Sequence, residues 1–237
     1  MLLLAAAVVG CAEAQTGAGP ERLEARPGRG GGSCEPGTHR LRAGAPRKTW
    51  MRVAPGAVHG RKALLLLLHG AGAAAFDGLR EFRGGWDARG LVMVAPAARG
   101  RTWSALFGRD KDLATIDAVL REAFRRCRID PRRVGVGGFS DGATYALSLG
   151  LANGRLFRAA IALSPGGIVG ERREGKPRIF IAHGTRDNVL PFSTSRDQLV
   201  PALRNAGYDV TFRPFAGEHK AREPESRAAV RWFLRGR

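Results

Sequence analysis

From about Lys48 onward the apolar residues gather into short unbroken runs, and the stretches between those runs carry apolar residues at helical spacing. Residues 63–68 form a continuous run, Ala-Leu-Leu-Leu-Leu-Leu, that ends at His69-Gly70. Runs of the same kind recur at 91–95, 133–137, 160–163 and 178–182. Unbroken runs this short fit strands buried on both faces of a parallel sheet. KTWMRVAP (48–55) predicts a first strand, and the alternating 209–213 predicts an edge strand. Between them, 112–127 brings Leu113, Ile116, Val119, Leu120, Ala123 and Phe124 onto one helical face. Segments 143–151, 195–205 and 222–234 follow the same spacing, and Gly207 stands where a helix should stop. Strands alternating with helices predict a single-domain α/β fold over residues 48–237, with a mostly parallel central sheet and helices on both faces.

The chain before Lys48 has a different character. Residues 15–47 are rich in Gly, Pro, Arg and Glu without an apolar period, and read as a flexible leader. Residues 1–14 (MLLLAAAVVGCAEA) resemble the apolar core and small-residue cleavage site of an export signal, although no basic residue precedes the run. Val8 to Cys11 also resembles a lipoprotein box, which would anchor the chain to a membrane through Cys11. Export is therefore expected: secreted, periplasmic or lipid-anchored, with the cytoplasm as the alternative if this segment is not a signal. With Cys11 set aside, Cys34 and Cys127 remain either as a bridge in an oxidising compartment or as two separate thiols. No Cys-x-x-Cys and no His/Cys spacing suits a metal, so neither a metal nor another cofactor is expected.

Charge changes this picture little. Lys and Arg number 39 against 21 acidic residues, a formal net charge of +18. All but five of the basic residues are Arg, scattered through nearly every segment, and aromatic residues make up only 7%. A nucleic-acid partner is not expected, because neither a dense basic run nor a base-stacking platform is present.

The candidate chemistry begins at Gly138-Phe139-Ser140-Asp141-Gly142. In a chain with 33 glycines a G-x-S-x-G motif is weak evidence alone. Its context is stronger, because it follows an apolar run directly and opens a helical segment. A strand-turn-helix placement exposes the serine oxygen on a sharp turn. A dinucleotide fingerprint starting at Gly135 fails, since its third glycine falls on Ser140 and no acidic residue lies near twenty residues further on, the first beyond the helix being Glu171. A serine hydroxyl needs a base, and the base needs an orienting acid. Of five histidines only His219 follows the last strand, while Asp187 follows the run ending at His183. Ser140, Asp187 and His219 thus stand in the chain order of nucleophile, acid and base on an α/β sheet. Two backbone amides would meet the oxyanion: Asp141, next to the serine, and Ala71, in the loop after Leu68. His69 is expected to shape that loop.

LLLLHGAG, GFSDGATYALSLGLANG, ALSPG, IAHGTRDNVLP and GEH together resemble the α/β-hydrolase superfamily, close to its carboxylesterase/phospholipase-like and polyhydroxybutyrate-depolymerase-like esterases. The resemblance covers residue 48 to the C-terminus. It implies a serine esterase acting through Ser140, His219 and Asp187 on small-molecule esters, with Trp103 as a substrate contact near the site mouth. Thioester or peptide hydrolysis, or ligand binding without catalysis, would use the same fold. Only about a dozen residues separate Ser164 from Arg178, too few for a helical lid. An open site suited to short or surface-presented acyl groups is expected. Glu218 beside His219 departs from the small residue that many relatives carry there.

Overall fold

A computed structural model describes residues 22–28, 30, 32, 34–43, 45, 47–56 and 60–236. The segment 1–14, on which the expected signal and Cys11 anchor fall, lies outside the described residues. The apolar runs form an eight-stranded sheet in the order β1-β2-β4-β3-β5-β6-β7-β8. The strands are β1 (Gly37–Leu41), β2 (Thr49–Val53), β3 (Lys62–Leu68), β4 (Leu91–Ala95), β5 (Ile129–Phe139), β6 (Ala159–Leu163), β7 (Arg178–Gly184) and β8 (Val210–Phe215). From β4 across to β8 every pairing is parallel, whereas β1 on β2 and β2 on β4 are antiparallel. Helices α1 (Ala75–Glu81), α2 (Leu113–Arg126), α3 (Asp141–Ala152), α4 (Val200–Asn205) and α5 (Glu223–Arg235) complete the domain.

Two apolar layers hold the sheet. On one face Leu64, Leu66 and Leu68 pack with residues of α2 and α3, including Val119, Phe124, Leu147 and Leu151. On the other, Leu65 and Leu67 pack with Leu79 of α1 and with Val230 and Phe233 of α5. Alternate side chains of β3 thus enter opposite cores, and all seven of its residues are buried. This explains why the sequence after Lys62 is an unbroken apolar run. Residues 165–177, between β6 and β7, contain neither helix nor strand, so no lid is built there.

The flexible leader expected over 15–47 is corrected for the part that is described. Leu23 and Ala25 are buried. The Leu23 amide donates to Asn153 Oδ1 at 2.8 Å and the Ala25 amide to Asp117 Oδ1 at 2.6 Å. Cys34 is bridged to Cys127, at the end of α2, with their Cα atoms 5.0 Å apart. Residues 37–41 then add β1 to the sheet edge beside β2. A few apolar anchors, side-chain acceptors for backbone N–H groups and one covalent link therefore order a segment whose composition suggests none.

Candidate active site

Ser140 stands between the end of β5 and the first residue of α3. Its backbone is left-handed, with φ 56°, a strained conformation for a residue with a side chain. The turn is held from both sides. The Ser140 amide donates to Leu163 O at 3.0 Å, and its carbonyl accepts from the Ala143 and Thr144 amides at 2.9 and 3.0 Å. The flanking glycines are required by close approach. A Cβ on Gly138 would collide with the Gly142 carbonyl, and a Cβ on Gly142 with the Leu68 carbonyl.

The structure brings together the three side chains that the chain order singled out. His219 Nε2 lies 2.8 Å from Ser140 Oγ, and His219 Nδ1 lies 2.7 Å from Asp187 Oδ2. A carboxylate can only accept, so Nδ1 carries the proton and Nε2 is left to accept from the serine hydroxyl. The Asp187 side chain is fully buried. Burial pushes its carboxyl pKa up, but the hydrogen bond from His219 and the amides of Leu190 and Val189 outweigh this and hold it below the ordinary carboxylate value. Those amides reach Oδ1 at 2.9 and 3.0 Å. The Phe139 ring packs against the His219 imidazole, centroids 4.7 Å apart. Glu218 turns its carboxylate to Lys220, 3.1 Å away.

A second histidine reaches the same carboxylate, and sequence reasoning missed its role. His183, at the end of β7, lies with Nε2 3.0 Å from Leu190 O and 3.2 Å from Asp187 Oδ2. Its Nδ1 is 2.7 Å from Ser195 Oγ. Both oxygens facing Nε2 are acceptors, which fixes the proton on Nε2 and makes Ser195 the donor to Nδ1. Burial lowers the His183 pKa, with its hydrogen-bond partners opposing in part, so the ring is a neutral donor. Asp187 Oδ2 thus faces a ring N–H from each of two histidines. The four-residue spacing of His183 and Asp187 was the available signal.

The loop after β3 closes over the turn, since a Cβ on Gly70 would lie 3.4 Å from Ser140 Cβ. His69 Nε2 accepts from the Ala98 amide at 3.1 Å, so Nδ1 carries the proton and donates to Gly70 O at 2.8 Å. The Gly70 carbonyl and the Ala71 N–H belong to one planar peptide and point in opposite directions. Fixing the former aims the latter. The Gly70 amide faces Glu81 Oε1 at 3.4 Å, and burial first, then Asp77, pushes the Glu81 pKa up to about 8, against that amide. The Asp141 amide opens α3, where the first N–H groups lack intrahelical partners. The Asp141 side chain accepts from Thr102 Oγ1 at 2.7 Å.

The expectation for Trp103 is corrected. Its side chain is fully buried, so it does not line the site mouth. It packs between His69 and Tyr145, ring centroids 4.9 and 5.4 Å away, and its Nε1 donates to His69 O at 2.8 Å. The indole braces the loop that carries Ala71, a role that no local sequence pattern encodes.

A mostly parallel sheet flanked by helices, with a serine on a strained strand-to-helix turn, defines an α/β hydrolase. The model of the phospholipase/carboxylesterase family matches residues 107–236, and the chain belongs to that family. It is similar to the crystal structure of the esterase PE8, at 26% identity and a TM-score of 0.63 over 78% of this chain and 96% of that one. The carboxylesterase of Bacillus cereus, at 20% identity and a TM-score of 0.61 over 81% and 96% of the two chains, shares the fold. "Probable feruloyl esterase C" of Aspergillus oryzae is 29% identical over 143 residues, 59% of this chain and 52% of that protein. The chain spans about half the length of the curated relatives it matches.

Proposed function

We propose that this chain hydrolyses carboxylic esters through an acyl-enzyme on Ser140. The observation that carries the reading is the continuous path from Ser140 Oγ through His219 to buried Asp187, at 2.8 and 2.7 Å. His219 takes the serine proton as Oγ attacks the ester carbonyl, and Asp187 holds the imidazole tautomer and balances the imidazolium. The tetrahedral oxyanion is met by the amides of Ala71 and Asp141. His219 then protonates the departing alcohol. Water, deprotonated by the same nitrogen, releases the acid.

The absence of a lid between β6 and β7 favours short or surface-presented acyl groups. The family, the likeness to PE8 and the likeness to proteins named as feruloyl esterases support an oxygen ester as substrate. The Cys34–Cys127 bridge supports an oxidising compartment, and with it export. A fluorophosphonate should label Ser140, located by peptide mass spectrometry, and p-nitrophenyl esters of increasing acyl length should show turnover that falls with length. Turnover by Ser140→Ala at the native rate would refute the assignment.

A further inference from the structure

Beyond the esterase reading, we propose that the outer face between α5 and the edge strand β8 is a docking groove for an acidic polysaccharide. The groove encloses about 650 Å³ and runs between Thr211 and Arg213 of β8 and the stripe Arg227, Arg231 and Arg235 of α5. Residues four apart on a helix stand one above another, about 6 Å apart along the axis. The stripe is therefore a ladder of guanidinium groups rather than a point site. Arg178, at the start of β7, forms part of the floor and lies over the Trp232 ring, 4.5 Å from its centroid. It also lines a second recess of about 390 Å³ that continues the surface past Arg158 and Arg133.

Much of the charge here is uncompensated, with one of the three arginines of the stripe paired. Arg227 is paired with Glu223 at 2.6 Å. Arg213, Arg231 and Arg235 are exposed and their side chains make no hydrogen bond or ion pair to a described residue. Among the described residues, Asp209 is the one acidic residue lining either recess. Elsewhere many arginines face acids, as Arg121 faces Asp117 and Arg126 faces Glu122. Clustered guanidinium forks that lack acids of their own are suited to carboxylates supplied from outside.

The form of the groove selects the polyanion. A bilayer is flat, and binding to it draws on exposed apolar side chains as well as basic ones. The large exposed hydrophobic side chains among the described residues, Phe107 and Val189, follow β4 and β7 at the other end of the sheet. A DNA duplex is a thick convex rod, and a single strand needs open aromatic faces for its bases. Trp232 is already engaged by Arg178 and by Phe180. A thin carbohydrate chain with one carboxylate per sugar presents its charges one after another along a narrow strand, as a ladder of guanidinium groups requires. Ser140 and Asp187 follow the C-terminal ends of β5 and β7, while Arg178 begins β7, about 20 Å away along that strand. A docked polymer therefore leaves the serine open to esters.

The test is binding without turnover. Polygalacturonate is titrated into the whole protein at low salt and followed by calorimetry, beside a neutral glucan, a single-stranded oligonucleotide and vesicles containing phosphatidylglycerol. Polygalacturonate should bind most tightly, and the double variant Arg231→Glu/Arg235→Glu should weaken it about tenfold or more. The variant Arg40→Glu/Arg128→Glu changes net charge equally at exposed positions outside the groove, and should stay within about twofold of the native protein. Hydrolysis of a small p-nitrophenyl ester should be unchanged in both, which also reports that each variant is folded. Equal loss in the two variants, or tighter binding of the oligonucleotide or the vesicles, would overturn the proposal.

Discussion

Replacing His183 tests how the buried acid is held. His183→Leu removes the ring N–H that faces Asp187 Oδ2 at 3.2 Å and keeps an apolar side chain in the space beside Phe192. A hydrogen bond to a charged group is worth about 1.5 to 3 kcal/mol. This one is long and shared with Leu190 O, so the lower end applies. A loss of about 1.5 kcal/mol corresponds to roughly tenfold in rate. The loss should fall on kcat, with KM for p-nitrophenyl acetate nearly unchanged, because in the proposed mechanism Asp187 acts through His219 and not on bound ester. His183→Gln places an amide N–H near the same acceptor and should recover most of the loss, a pattern that damaged packing alone would not give. The assay is steady-state hydrolysis, with thermal melting of each variant confirming that it is folded. A folded Leu variant with native kcat, or a Gln variant no better than Leu, would refute the positioning role.

Three further outcomes follow from the geometry. Opening the Cys34–Cys127 bridge, which spans 93 residues, should lower stability by up to about 4 to 5 kcal/mol on the chain-entropy model; urea unfolding of Cys34→Ser/Cys127→Ser against the native protein measures it. Glu81 has a folded pKa of about 8, raised above its ordinary 4.5, so its stabilising effect is present below the unfolded value and is lost as pH rises, by about 1.4 kcal/mol per pH unit across that window. Glu81→Gln should accordingly melt higher than the native protein at pH 9 and lose that advantage near pH 4.5. Trp103→Phe, which deletes the donor to His69 O, should lower kcat a few-fold in the same ester assay while leaving fluorophosphonate labelling of Ser140 in place.

Much of the framework was legible because burial on both faces leaves a direct trace. The runs that became β3, β4, β6 and β7 are buried almost throughout, and α2 buries its predicted stripe apart from half-buried Leu113. Strand β1 left no such trace, for GTHRL lies at the sheet edge with polar side chains alternately exposed. Helix α1 is seven residues with a glycine inside, too short for its period to register. The order of Ser140, Asp187 and His219 could be read along the chain, since topology fixes which strand end each follows. The contacts of His183 and Trp103 could not, because each depends on segments that meet only in three dimensions: Ser195 and Leu190 around the former, His69 and Tyr145 around the latter.

The two outer strands bear on how copies of this protein meet. An open sheet edge presents unpaired N–H and C=O groups on which another chain can build. Here β1 is only five residues long and carries Arg40, while β8 carries Arg213 beside Pro214, which has no N–H to offer. Bringing either edge against itself or the other sets arginine near arginine, on a chain whose formal net charge is +18. The sheet thus ends in short, like-charged, interrupted ladders, and these edges oppose the edge-to-edge stacking through which β-rich proteins polymerise.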